Sequence, residues 1–436
     1  MIYKAPFKDG LTSAILKDLI DEHEERAGKQ KKLFERYKGD VPINNRKVDK
    51  PAKVNNKLAN DFFGDIIDTK VGYMGSDVTV ELKEDRYEGK EREFKSHNQL
   101  IQDHQQIDQF DDKISRLIRW AAIAGFGVKI LYYGYVGNLV YPLSVIVKPW
   151  EVIFVSNGAI DEPEYVMHYY TLQHVLGDNE VQERIHVEWY DREYVTFYVQ
   201  EREGGPFFFD ESIEPNPVKH YYDDIPAIAY PNNTFELGDG DKIVELIDAY
   251  DRSLSDVSSE LEQLRLAYMY YKGVGDADLE SFRQTGILPM NPEDEAGFIT
   301  KKLDDSIIEH HLNRLERNIL RFGKSVDFGD EAFGGNMPVI AFQIKVAGLE
   351  HKCKMTERSF KKALNKEYKL LTGAWEGLGY YASVPNPSDI SFTFTRDIPF
   401  SLKEELETLA NARGHLSDKT LYSLMSFIKD PEAEME

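Results

Sequence analysis

An α+β chain is predicted by three features of the sequence. Two amphipathic helices with a common 3.5-residue apolar repeat flank a small insert within residues 241–323. Residues 126–235 alternate with period 2 and are rich in Val, Ile and Tyr, and helical patterns stand before and after both regions. The 436 residues, 42% apolar and 12% aromatic, suffice for roughly two or three domains with real cores, which excludes wholesale disorder. A single cysteine, Cys353, excludes an internal disulfide framework, a zinc ribbon and an iron–sulfur cluster, and fits a reducing compartment. Lys plus Arg number 53 against 76 Asp plus Glu, a formal charge of −23. Such a balance argues against a free-standing, tight duplex binder, which needs a basic face to displace counterions. It does not forbid contact with DNA.

In chain order, the first helix is expected over Thr12–Tyr37, where Ile15, Leu16, Leu19 and Ile20 mix with many charges. The charged opening, with Lys4, Lys8, Asp9, Lys17 and Asp18, has no apolar run and so does not read as a signal peptide. A polar linker (Pro42–Asn56) leads to a second helix at about Lys57–Val71, with Leu58, Phe62, Ile66 and Ile67 on one face. Val78–Leu82 alternates like a strand, and a third helix is expected over Glu91–Ala124, stopped by Gly125-Phe126-Gly127. The 18 uncharged residues from Ile130 to Val147 have the bare length of a membrane span. Gly134, Gly137, Asn138 and Pro142 interrupt them, so a hairpin of Val128–Tyr135 and Leu139–Val147 around a Gly-Asn turn is the better reading. Val152–Val155, Tyr165–Tyr170, Ile185–Tyr190 and Tyr194–Val199 then continue a mostly antiparallel β region.

The most regular element follows. Ile243, Ile247, Tyr250, Leu254, Val257, Leu261, Leu264 and Tyr268 are spaced 4, 3, 4, 3, 4, 3, 4, which predicts one long helix from Asp241 to Lys272 with net acidic outer faces, seven acids against four bases. A Gly- and Pro-punctuated insert runs to about Lys302. A second helix starts at Ser306, where Ser306 and Glu309 have capping-box spacing, and carries Ile308, Leu312, Leu315, Ile319 and Phe322 at the same period. The pattern is a helical hairpin with a small domain at its tip. Gly- and Asp-rich residues 326–337 read as a loop, Pro338 suits the first turn of a helix reaching about Leu371, and a strand (Ile390–Phe394) and a short helical region close the chain.

Few residues point to catalysis. Gly323-Lys324-Ser325 ends like a phosphate loop, but Asn318 stands where the first glycine is required and no strand precedes it. His310 and His311 are adjacent, about 100° apart on a helix, which does not suit one metal ion. Asp239-Gly240-Asp241 lacks the rest of a calcium loop and reads as the entry to the long helix, and Cys353 has no partnering base. No enzyme and no cofactor is expected. Two basic features stand out instead. Arg314, Arg317, Arg321 and Lys324, spaced 3, 4, 3, form one stripe, to be read either as ion pairs with the acidic long helix or as a face toward a polyanion. Residues 350–370 carry seven Lys/Arg against three acids, a solvated or intersubunit face by default.

Taken together, the chain resembles the portal proteins, the head-to-tail connectors, of long-tailed double-stranded DNA bacteriophages. The resemblance is carried by Asn55-Asn56-Lys57-Leu58, Phe62, Ile66-Ile67-Asp68, Lys70 and Gly72-Tyr73-Met74-Gly75 near the start. Gly125-Phe126-Gly127, Tyr132-Tyr133 and Lys148-Pro149-Trp150-Glu151-Val152 follow in the β region, then Ile225-Pro226, Pro231-Asn232-Asn233 and the helix from Leu246 to Tyr250 through Ser255-Asp256 to Glu260. Phe333-Gly334-Gly335-Asn336, Leu349-Glu350, Lys354, Glu357-Arg358 and Phe360 complete it. Met337-Pro338 departs from the Ser-Gly pair of the family, and the short end of the chain implies a reduced crown.

The resemblance implies a portal fold: a ring of twelve at one capsid vertex, assembled in the host cytoplasm, with a channel for DNA packaging and ejection. Residues 1–240 would be N-terminal helices and a β-rich wing, 241–272 and 303–323 the stem helices, and 273–302 the clip. Residues 324–345 would be the tunnel loop and the start of the tunnel helix, 346–400 the return to the wing, and 401–436 a short helical crown. Arg314, Arg317, Arg321, Lys324, Asp327, Asp330, Glu331 and Asn336 are then candidates to face DNA. Asp276, Asp278, Glu280, Arg283, Glu293, Asp294 and Glu295 are candidates to dock the large subunit of terminase. The implied partners are further copies of the chain, terminase, major capsid and scaffolding proteins, a head-completion adaptor and double-stranded DNA, with no membrane. The alternative is another head–tail ring protein such as an adaptor, against which the long helical hairpin argues.

Overall fold

The structure, a computed structural model, describes residues 2–4, 10–47, 54–75, 77–156, 158, 162–175, 181–202, 204–264, 268–272, 285–286, 292, 295–299, 305–327, 339–396, 417 and 420–421. It is mixed helix and sheet and divides into two compact units. The larger comprises residues 1–30, 67–238 and 325–436, the smaller residues 31–66 and 239–324.

In the larger unit the alternating segments form a sheet of order β1-β5-β6-β7-β8-β10 with β9 on β8. Its members are β1 (Ile2–Lys4), β5 (Val152–Ser156), β6 (Tyr165–Val175), β7 (Val181–Tyr190), β8 (Tyr194–Gln200), β9 (Phe207–Phe209) and β10 (Val218–Lys219). All neighbours are antiparallel except β1, which lies parallel to β5. Period-2 alternation gives this sheet two apolar faces. Ile153, Val155, Met167, Val187 and Trp189 meet Leu16 and Leu19 of α1 (Ser13–Tyr37). Val152, Phe154, Val166, Tyr190 and Val195 meet β3 (Phe126–Val136) and β11 (Ala227–Pro231), which with β4 (Leu139–Val147) form a second sheet of order β11-β3-β4. The expected hairpin is thus present, turning at Gly137 with φ +61. Among the described residues no helix is long and apolar enough to cross a membrane.

Four expected helices are corrected. The second occupies Phe62–Gly75 (α2), not Lys57–Val71, because the Asp61 carboxylate accepts the Gly64 N–H at 2.9 Å, a cap at the required spacing, and the residues before it are extended. The third is two helices, α3 (Glu91–Ile107) and α4 (Phe110–Ala124). Between them Gln109 takes φ +55 while the buried Asp108 carboxylate accepts Lys113 Nζ (2.6 Å), the Ser144 N–H (2.8 Å) and Ser144 Oγ (2.5 Å). The long helix is α5 (Val244–Leu264), not 241–272. The aromatic run Tyr268–Lys272 is β12, paired antiparallel with β13 (Glu295–Ile299), so the apolar repeat overran the helix into a strand. After α6 (Asp305–Gly323), α7 spans Val339–Leu378 and outruns the expected end, since Leu371, Ala374 and Trp375 keep its apolar face buried until Gly379, φ +66, stops it. β14 (Ile390–Thr395) pairs antiparallel with β2 (Asp77–Leu82).

Glycine is required where α4 runs into β3. Gly125 has φ +90, and a Cβ there would lie 2.0 Å from the Glu236 carbonyl oxygen.

Candidate nucleic-acid interface

The smaller unit is built on α5 and α6. Ile247 of α5, Ile243 just before that helix, and Leu315 and Ile319 of α6 are buried, so these members of the shared 3.5-residue repeat form the seam between the two helices, while Leu261 and Phe322 are more than half exposed. Gly323 closes α6 by packing, not by cradling phosphate: a Cβ there would lie 2.9 Å from Ile66 Cδ1 and 3.2 Å from Ile243 Cδ1.

The opposite side of α6 carries charge. Arg314, Arg317 and Arg321 are exposed and fall within an arc of about 60° at 100° per residue, roughly opposite Leu315 and Ile319. Lys324 follows the helix with φ +50 and is also exposed. Ion pairing to α5 is not what these groups do: among the described residues none of the four has a carboxylate partner. The α5 carboxylates are taken from another side. Arg36 holds Asp248 at 2.7 Å and Arg46 holds Asp256, at a cleft bounded by Pro42, Ile43, Lys47, Glu245 and Arg252.

A third side of α5 is occupied by the extended segment 54–60. The N–H groups of Asn56, Leu58 and Asn60 donate to Ser259 Oγ (2.9 Å), Ser255 Oγ (3.0 Å) and Asp251 Oδ1 (3.0 Å). Burial pushes the Asp251 carboxyl up from its ordinary range, although Asn60 Nδ2 also donates to it at 2.8 Å. The segment and the arginine pairs thus engage the polar sides of α5, while α6 presents its basic face to solvent.

Sequence reasoning missed one member of that face. His310 lies in line with Arg314, Arg317 and Arg321 at spacing 4, 3, 4 and is exposed; His311 is exposed too but off that line, with Nε2 3.4 Å from Ser253 Oγ of α5. The i, i+4, i+7, i+11 pattern was the signal. Asp327 is exposed, while Asp330, Glu331 and Asn336 lie outside the described residues. So do Asp276, Asp278, Glu280, Arg283, Glu293 and Asp294; Glu295 is exposed on β13 opposite Lys272.

The second basic helix proves mixed. Lys361 and Lys354 pair with Glu357 (2.8 Å) and Glu350 (3.4 Å) of the same helix, Lys352 is buried, and Arg358, Lys362 and Lys369 are exposed. Cys353 is buried in α7, and no group of three or more His, Cys, Asp or Glu among the described residues is placed to hold a metal ion.

Comparison with known proteins bears on what such a chain is. It is 22% identical over 408 residues to the portal protein of Clostridium phage phiCD119, covering 90% of this chain and 86% of that one. Residues 16–436 match the family described as "Phage portal protein, SPP1 Gp6-like". A match over nearly the whole length, through both helices of the pair and the β-rich unit, places the chain in a family: it belongs to the SPP1 Gp6-like phage portal proteins.

Proposed function

We propose that copies of this chain close into a ring of twelve at one vertex of a phage capsid, around a channel through which double-stranded DNA is packaged and ejected. The observation that carries the reading is the exposed basic face of α6, without carboxylate partners among the described residues, in a chain of net charge −23. Twelve copies would hold about −276 formal charges, twelve times −23, so that most of the wall repels DNA while sparse basic faces bear on phosphates without reading bases. Cyclic rings close through two different surfaces on each subunit.

In this reading α5 and α6 belong to the stem, residues 273–302 form the clip that docks terminase and later the head-completion adaptor, and residues 326–337 form the tunnel loop. Residues 346–400 return to the wing, 401–436 form the crown, and capsid and scaffolding proteins surround the ring. The chain itself performs no catalytic step. The name of the Clostridium phage relative supports the reading.

The test is native mass spectrometry with electron-microscope views of the purified protein. A hollow ring of about 604 kDa, twelve copies of 50.3 kDa, is expected. A monomer that stays closed to assembly even with its scaffolding protein would overturn it.

A further inference from the structure

In the larger unit, β2 and β14 form a two-stranded ribbon whose hydrogen-bond phase can be derived. The Lys83 N–H donates to the Asp389 carbonyl at 2.8 Å, in register with the pairs Leu82–Ile390 through Asp77–Thr395. Bonded and non-bonded pairs alternate in an antiparallel ladder, so Glu81 and Thr79 face Ser391 and Thr393 with their peptide groups. Ser391 Oγ, which also donates to the Glu81 carbonyl at 3.1 Å, agrees with that phase. The N–H and C=O groups of Val78, Val80 and Leu82 therefore point away from β14. These residues are only 5–7% exposed, yet no strand pairs with this edge among the described residues. Nearly buried peptide groups ordinarily have partners. The far edge of the ribbon is treated differently: the Phe394 carbonyl accepts Arg396 Nη1 at 3.4 Å.

Beyond the open edge lies a groove of about 510 Å³. Its floor is Val78–Glu81, and its other wall is formed by Asn98, Gln102, Gln105 and Gln106 of α3, with Asp111 of α4 at one end. Asn98, Gln102 and Gln105 follow i, i+4, i+7 and so share one face of the helix. No side-chain hydrogen bond occupies any of these amides among the described residues. A carboxamide offers the same donor and acceptor as a peptide bond. One wall is thus an open strand edge and the other a row of peptide-like side chains. Among the described residues the groove is lined by the carboxylates of Glu81 and Asp111 and by no Lys or Arg.

We propose that this edge docks an extended, positively charged segment of a partner polypeptide. The segment adds as a third strand on Val78 and Val80, while the amides of α3 hold the outer side of its main chain. Main-chain pairing supplies the affinity, and the two carboxylates select Lys or Arg on the partner.

The test uses the full-length protein and a fluorescein-labelled peptide, Lys-Thr-Val-Thr-Val-Thr-Val-Thr-Lys, followed by anisotropy. Saturable binding is expected. A twin of the peptide N-methylated at alternate residues, which cannot form the ladder, should bind roughly tenfold or more weakly. Val80→Pro, which removes one edge N–H, and the pair Gln102→Ala with Gln105→Ala should each weaken the parent peptide, and Asp111→Lys should weaken it most at low salt. The methylated twin leaves the protein unaltered, so a misfolded variant does not decide the matter. No saturable binding up to millimolar peptide, or equal binding of the twin, overturns the proposal. Self-association of the protein that Val80→Pro abolishes would make a second copy the occupant and overturn the assignment to a different partner.

Discussion

In the larger unit, ionic groups are sunk into the core and tied. Lys129 of β3 and Glu367 of α7 are both fully buried with Nζ and Oε1 2.9 Å apart, and the Tyr230 hydroxyl of β11 donates to the other carboxylate oxygen. Lys70, also buried, donates to Asn232 Oδ1 at 2.5 Å, and Thr356 Oγ1 donates to the same oxygen at 3.1 Å. In the smaller unit α6 keeps Leu315 and Ile319 in a seam with α5 and leaves Arg314, Arg317 and Arg321 in water. The difference teaches where each charge can act. A buried pair fixes the register of a long helix on its sheets and meets nothing from outside, whereas an unpaired exposed row contributes little to folding and stays available to a polyanion.

The largest effect is expected at Lys129. Lys129→Met strands the Glu367 carboxylate and should cost about 3–5 kcal/mol, while adding Glu367→Met should recover most of the loss. Urea denaturation of the single and double variants checks it, and an unaffected single variant would remove the distinction between the units.

Acid has the next largest effect. His23 and His104 are buried, and desolvation lowers each imidazole to about 4. Between about 6.5 and about 4 the unfolded chain takes protons that the native histidines refuse, so stability falls as pH falls through that window, by roughly 1.4 kcal/mol per pH unit per histidine. His104→Gln should flatten the measured slope by about one proton.

A smaller effect is expected on α5. Ser255→Ala or Ser259→Ala removes the acceptor of one N–H of the 54–60 segment and should cost about 1 kcal/mol, with hydrogen exchange at Leu58 or Asn56 accelerated. Smallest for stability is the basic face itself. Replacing Arg314, Arg317 and Arg321 together by Gln should shift stability by no more than about 0.5 kcal/mol. The same change should reduce the salt slope of DNA binding by about 0.9 for each lost phosphate contact. A large loss of stability would show these arginines to be structural.

Much of this was legible in the sequence because periodicity reports burial directly. The β3–β4 hairpin, the four central strands of the large sheet (β5 to β8) and the α5–α6 seam follow from apolar spacing, and the basic stripe on α6 from its 3, 4, 3 pattern, whereas the short β9 and β10 carried no such signal. What escaped depends on partners distant in sequence. The three residues of β1 are too short to show alternation and are fixed by parallel pairing with β5. The break at Asp108 requires Ser144, the extended course of residues 54–60 requires side chains some 200 positions later, and Tyr268 continues a helical repeat while its backbone pairs with Ile299. The open edge of β2 was hidden as well, because only the register with β14 tells which peptide groups point outward.

The segment laid along α5 behaves like a vernier. Two extended residues advance about 6.6 Å and four helical residues about 6.0 Å, so successive rungs are nearly, but not fully, commensurate. Each rung adds roughly 0.6 Å of offset, and acceptors four apart on a helix also drift by about 40° around its axis. Three rungs are made, at 2.9, 3.0 and 3.0 Å, before Asp61 caps α2 and the chain leaves its extended course. At the fourth step beyond Asp251 the helix offers Ile247, which has no acceptor and lies in the seam. The stitched stretch therefore ends where both partners change character at once, the segment winding into α2 at Phe62 and the facing side of α5 giving way to the apolar seam at Ile247.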